Sequence, residues 1–249
     1  MAILWQKTVD GTQYEVRQAG NSVRLYTDGV FHSQYNPQHS VTRSVWDLLM
    51  LPAFFQEPKN IQRVLVLGVG GGSVIHLLNR YVNPQEIVGV EISSVHLAIA
   101  KKYFGVNYKN TRLHRGDAIA WLDNYQGPPF DMIIDDLFGE VDGEGVRAIP
   151  LNAKWLTLLR KHTTKNGIIV ANMVDRQSLI QSALYSNKSI AKAFKSVFQL
   201  SMPQYENLVT AFLKQPSQPA TLRKSIKQIK GLNIPSGPDK LSFKIKQIK

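Results

Sequence analysis

The 249-residue chain contains no cysteine, so disulfides, thiolate metal sites and a cysteine nucleophile are excluded. It has no apolar run approaching the roughly eighteen residues that a membrane-spanning helix needs. Its opening, MAILWQKTVDGTQYEV, lacks the basic, apolar and small-residue order of a secretory leader, and a soluble cytoplasmic protein is expected. The six histidines, at 32, 39, 76, 96, 114 and 162, show neither HxxxH nor HxH spacing, so no dedicated metal site is expected. Acidic residues are scarce, 18 against 30 Lys and Arg, for a net charge of +12. That excess is uneven. Residues 215–249 carry eight Lys/Arg against the single Asp239, or +7, which leaves a mildly basic body of +5.

The same segment repeats IKQIK at 226–230 and 245–249. Alternating Ile and Lys suits either an amphipathic edge strand or a solvated basic tail that the fold can do without. Contact of this tail with nucleic acid or another acidic partner stays open, although no aromatic interleaving accompanies the charge.

Residues 3–35 read as short strands separated by turn signals at Asp10-Gly11, Gly20-Asn21 and Asp28-Gly29, which suggests a small antiparallel cap. Over 41–55, VTRSVWDLLMLPAFF has near-helical apolar spacing and predicts a helix ending near Pro52. From Arg63 onward, apolar strands alternate with longer amphipathic segments, the signature of a parallel sheet with helices on both faces. Strands are expected over 64–68, 87–91, 112–114, 131–135 and 167–172. Helices are expected near 73–80, 94–103, 118–124, 152–162 and 176–195. FQLSMP and NLVTAFLK then supply a closing strand pair. The resulting division is a β cap at 1–40, an α/β domain at 41–214 and a basic extension at 215–249.

Within VLVLGVGGGSVIHLL, the first strand breaks into glycines and leaves as a helix. Gly68, Gly70, Gly71 and Gly72 allow positive φ and let a ligand approach helix amides closely. The dinucleotide fingerprint G-x-G-x-x-G would need glycine at 73, but Ser73 stands there. Glu91 closes the second strand, where an acid can accept both hydroxyls of a nucleoside ribose. Asp117, followed by Ala118, comes after the third strand, placed to meet an adenine edge. Asp135 and Asp136 end the fourth, at the carboxyl edge where open α/β sheets bind ligands. Each acid alone also suits a helix cap or turn; four such features in order favour a nucleoside ligand. The loop DDLFGEVDGEG adds Glu140, Asp142 and Glu144, a local acidity that would attract a cationic amine.

Over about residues 10–214, VLVLGVGGGS, VGVEIS, RGDAIAWL and FDMIIDD together resemble the spermidine synthase (polyamine aminopropyltransferase) branch of the class I S-adenosylmethionine-dependent transferases. The resemblance implies a Rossmann-like α/β class I methyltransferase sheet, mostly parallel with an antiparallel last strand, behind the β cap. It also implies a homodimer, and S-adenosylmethionine or its decarboxylated form as the bound nucleoside. By the same resemblance, Glu91 holds the ribose, Asp117 the adenine edge, and Asp136 is the base near the amine, with Asp135 and Glu140 next in line.

Three departures qualify what the resemblance implies. Ser73 replaces the aspartate of the family's GGGDG, which would repel the carboxylate of intact S-adenosylmethionine. Ser44-Val45-Trp46 stands where the family has Tyr-His/Gln-Glu, and Gly139 followed by Glu140 replaces the end of D-x-x-D-P. Ser73 makes methyl transfer to a small acceptor, an amine among the candidates, the first expectation. Aminopropyl transfer is the second, and nucleoside binding without turnover the third.

Overall fold

The computed structural model describes residues 1–141 and 144–249. Four strands open the chain, β1 (Ala2–Val9), β2 (Thr12–Ala19), β3 (Ser22–Thr27) and β4 (Val30–Tyr35), and form an antiparallel meander. Asp10-Gly11, Gly20-Asn21 and Asp28-Gly29 make the three turns, with Asp10, Asp28 and their glycines at positive φ. The expected cap is therefore present.

The predicted helix over 41–55 is shorter than its apolar spacing suggests: α1 spans only Val45–Met50, and Leu51–Phe55 tightens into a 3₁₀ turn around Pro52. The reason lies with Asp47. Its buried carboxylate accepts from Thr42 N (2.8 Å), Thr42 Oγ1 (2.8 Å) and Arg43 N (2.7 Å), which turns the preceding chain back at Arg43, φ 59°. Residues 41–44 thus serve as a lead-in to the helix.

The central part alternates as expected: β5 (Arg63–Leu67), α2 (Ser73–Tyr81), β6 (Glu86–Glu91), α3 (Ser94–Lys102), β7 (Thr111–Arg115), α4 (Ala118–Asp123) and β8 (Phe130–Asp135). A hairpin, β9 (Phe138–Val141) with β10 (Glu144–Arg147), follows, then α5 (Ala153–Lys161) and β11 (Thr163–Met173). Instead of one helix over 176–195 there are three short ones, α6 (Arg176–Ile180), α7 (Ala183–Ser186) and α8 (Lys188–Ala193). Side chains of Ser182 and Asn187 take backbone partners at the breaks, the competition that makes such residues poor inside helices. β12 (Ser196–Ser201) and β13 (Leu208–Leu213) complete the pair read from the sequence.

Strand order in the large sheet is β12-β13-β11-β8-β5-β6-β7; β11, β8, β5, β6 and β7 run parallel, and β13 lies antiparallel to both β11 and β12. Period-two alternation sends Val64 and Val66 to one core with Ile75, Leu78 and Phe54, and Leu65 and Leu67 to the other with Trp155 and Leu159. The lysine-rich segment adds to this sheet. α9 (Pro219–Lys227) packs on the 3₁₀ turn with Leu222 and Ile226 buried, Leu232 is buried beyond it, and β14 (Lys244–Gln247) pairs antiparallel with β12 at the sheet edge. Of the two readings of this segment, the edge strand is the one observed, and its buried apolar residues argue against the expectation that the fold can do without it. Among the described residues no helix is long and apolar enough to cross a membrane.

Candidate active site

β5, β6 and β8 end side by side, and their carboxyl ends open into a cavity of about 730 Å³ lined by Gly68, Gly70, Glu91, Asp117, Ala118 and Asp136. Gly68 has φ +83°, and a Cβ there would lie 2.2 Å from the Asp136 carbonyl oxygen. Only glycine lets the two strand ends approach this closely. Gly72, φ +84°, caps α2, and a Cβ would strike Val106 at 2.6 Å.

Glu91 is tied into the turn it faces. Its Oε2 accepts from the amides of Val69 (2.9 Å) and Gly70 (3.0 Å), and its Oε1 from Ser93 N (2.9 Å). Burial alone would raise its carboxyl, but His96, with Nδ1 3.7 Å away, and the surrounding amides outweigh that and hold it down at about 2. His96 Nε2 in turn lies 2.8 Å from Thr27 Oγ1, so the cap sheet braces the acid of the core through one imidazole. Asp117 accepts from Ala120 N at 2.9 Å and caps α4, while also lining the cavity.

Asp136 sits on the cavity floor, where Asn172 Nδ2 donates to its Oδ1 at 2.8 Å. Burial is the main reason its carboxyl is pushed up to about 6; neighbouring Asp135 and Glu91 add to the rise, while Asn172 and Arg147 oppose it. An acid poised near neutrality beside a cavity is suited to exchanging protons with a ligand.

Asp135, expected as a reserve base, is turned away. Strand alternation places it on the opposite face, fully buried, where its Oδ2 accepts from Arg147 (2.6 Å) and Trp155 Nε1 (2.8 Å). Arg147 also donates to the carbonyls of Asn172 and Ile149, fastening the β9–β10 hairpin to β11. Replacing Arg147 with alanine strands the Asp135 charge, and urea denaturation is expected to show a loss of about 3–5 kcal/mol. An unchanged midpoint would show that the pair is dispensable.

Ser73 also departs from expectation. It is 1% exposed and outside the cavity; its Oγ donates to the Gln34 carbonyl (2.8 Å) and accepts from Gln34 N (3.0 Å), fixing α2 to β4. Gly71 donates to Ser33 Oγ (2.7 Å) and packs on Phe104, so Gly71 and Ser73 join cap to core; Gly72 abuts Val106, and neither Gly71 nor Gly72, expected at the ligand, lines the cavity. Glu140 and Glu144 are described only as strand backbone, and Asp142 lies outside the described residues.

Sequence reasoning passed over several cavity residues: His32, His96, Asn172 and Glu206. Asn172 ends the fifth parallel strand, a position that could have been flagged by the rule that found Asp136. His32 and Glu206 come from the cap and from the β12–β13 connection, which nothing local marks. Burial, and next the neighbouring His96, push the His32 imidazole down to about 4, leaving it neutral at physiological pH. Among the described residues, the cavity lining carries Glu91, Asp117, Asp136 and Glu206 and no lysine or arginine.

A family model described as "Methyltransferase domain" matches residues 59–228. Polyamine aminopropyltransferase 2 of Caldanaerobacter subterraneus subsp. tengcongensis is 34% identical over 100 residues, 39% of this chain and 33% of that protein. The polyamine aminopropyltransferase of Vibrio vulnificus is 31% identical over 140 residues, 55% of this chain and 44% of that protein. The chain thus spans between a third and a half of the length of these curated relatives. The spermidine synthase of Thermotoga maritima superposes with a TM-score of 0.68 at 13% identity, covering 92% of this chain and 78% of the other, a likeness of fold. The resemblance and fold class read from the sequence are borne out by these matches.

Proposed function

The chain belongs to the family of methyltransferase domains, and we propose that it transfers an aminopropyl group from decarboxylated S-adenosylmethionine to a small amine. The carrying observation is the charge of the cavity: among the described residues, four carboxylates line it and neither lysine nor arginine does. Intact S-adenosylmethionine brings a carboxylate that would face these acids without a cationic partner. The decarboxylated form and an amine acceptor bring only positive charge, which such a wall favours. The names of the polyamine aminopropyltransferase relatives support the same choice. Methyl transfer rested on Ser73, whose hydroxyl is engaged by Gln34.

The residues present fit the nucleoside. Gly68 and Gly70 leave room against the strand ends, Glu91 offers its carboxylate to the ribose, and Asp117 and Ala118 line the adjoining wall. When bound, the donor supplies an electrophilic carbon next to a sulfonium. The chain's task is then to align an amine in line with that carbon and keep bulk water away. Asp136 accepts the proton that the attacking nitrogen loses, and Asn172 holds its Oδ1 in place. Trp46, with Val45, supplies an apolar wall where the resembling family has polar and acidic groups, so the acceptor's carbon chain rests there.

The test is calorimetric titration with each sulfonium. Binding of the decarboxylated form at least about tenfold tighter is expected; tighter binding of the intact form would return the reading to methyl transfer. Glu91→Ala is expected to weaken nucleoside binding by about 1.5–3 kcal/mol, the range for hydrogen bonds to a charged group. An unchanged Kd would remove Glu91 from the ribose.

A further inference from the structure

A second cavity, of 180 Å³, lies between β4, the connection over 36–43 and α2, and shares no lining residue with the first. Its charge is the reverse. Among the described residues, Arg24, Arg43 and Arg80 line it, no Asp or Glu does, and none of the three arginines pairs with a carboxylate.

The three come from separate elements, β3, the connection and the last turn of α2. Arg24 is held by Nε donating to Gln34 Oε1 at 2.7 Å, and Arg80 by donating to the His39 carbonyl. Arg43 is held through its backbone: φ 59° is a left-handed conformation that a non-glycine residue rarely adopts, and Asp47 Oδ2 fixes it by accepting from Arg43 N at 2.7 Å. The Arg43 side chain itself makes no hydrogen bond among the described residues. The wall also includes His76, whose Nε2 is buried without a hydrogen-bond partner. The nearby carboxylate, Asp239, is engaged by Ser40 N (2.6 Å) and His39 Nδ1 (3.2 Å).

We propose that this cavity binds a phosphate group, as the free ion or as the head of a phosphomonoester, through Arg24, Arg43 and Arg80. Three guanidinium groups around one cavity repel each other unless an anion sits among them. Their planar forks match phosphate oxygens two at a time, which a carboxylate satisfies less fully. Asn36, through its second amide hydrogen, and Ser22, whose hydroxyl accepts from Asn36, add neutral donors to the wall for the remaining oxygens. The volume suits one phosphate group and a few waters and excludes a nucleotide lying within it.

The experiment is calorimetry on the full chain with inorganic phosphate and, separately, phenyl phosphate, in chloride of constant ionic strength. One saturable site is expected. The double variant Arg43→Ala, Arg80→Ala should raise Kd at least about tenfold, whereas the charge-matched Lys244→Ala, Lys246→Ala on β14 should change it less than about twofold. Tighter binding of phenyl phosphate would identify a phosphorylated small molecule as the source, and equal or tighter binding of inorganic phosphate the free ion. Should the double variant not fold, Arg43→Ala alone carries the comparison, because that side chain is exposed. Absence of saturable binding below about 10 mM, or equal loss in both variant pairs, would overturn the site and leave only the attraction of a basic protein for anions.

Discussion

Replacing Asp136 with asparagine is expected to lower kcat/KM for aminopropyl transfer by about 10²- to 10⁴-fold, the range for losing a positioned base. Asparagine keeps the volume and can still accept from Asn172, so nucleoside binding should hold within about threefold. The wild-type profile should carry an acid limb. Burial raises the Asp136 carboxyl to about 6, so the active, ionised form declines tenfold per pH unit well below that value and saturates above it. In the variant the limb should vanish along with the activity.

Stability is expected to move the other way. A carboxyl whose folded pKa lies above its unfolded one favours the fold while protonated, and that contribution is lost as pH rises from about 4 to about 6. Asparagine does not titrate, so the variant should gain Tm relative to wild type at pH 8 compared with pH 4. A variant that kept its turnover would move the base elsewhere; one with no relative gain in Tm would show that the Asp136 charge is well solvated.

Truncation after Pro216 is expected to abolish cooperative folding. It removes Leu222, Ile226 and Leu232, which are 0%, 6% and 3% exposed. At about 1.5–3 kcal/mol for each buried side chain, the loss is roughly 5–9 kcal/mol, comparable with the whole stability of an ordinary domain, about 5–15 kcal/mol. It also uncovers the Leu51–Phe55 turn beneath α9 and leaves β12 as an unpaired edge, inviting aggregation. The check is solubility with urea unfolding followed by tryptophan fluorescence. A soluble truncated chain with an unchanged midpoint would show that α9 and β14 are appended to a domain already complete.

Much of this architecture was encoded locally. Apolar runs of strand length alternating with amphipathic helices specify a covered parallel sheet, and glycines at 68 to 72 need no partner to announce a turn with positive φ. The acids at 91, 117 and 136 were legible for a similar reason, because the carboxyl ends of such strands converge wherever the sheet forms. What the chain could not announce was direction. Asp135 and Asp136 are neighbours that alternation sends to opposite faces, and only the packing of Trp155 and Arg147 decides which is spent inside. Ser73 follows the glycines in sequence yet belongs to the cap, since β4 arrives from the far end of the chain to take its hydroxyl.

The repeated pentapeptide separates the two kinds of information most clearly. IKQIK at 226–230 begins in the last turn of a helix, with Ile226 buried, whereas IKQIK at 245–249 begins in an edge strand on β12. By itself the sequence determined a parallel sheet, its glycine turn and the acids at its edge, because periodicity and backbone freedom act over a few residues. The tertiary structure decided which side chains face the cavity and what the lysine-rich segment becomes, because those outcomes depend on the surfaces that distant segments bring to meet them.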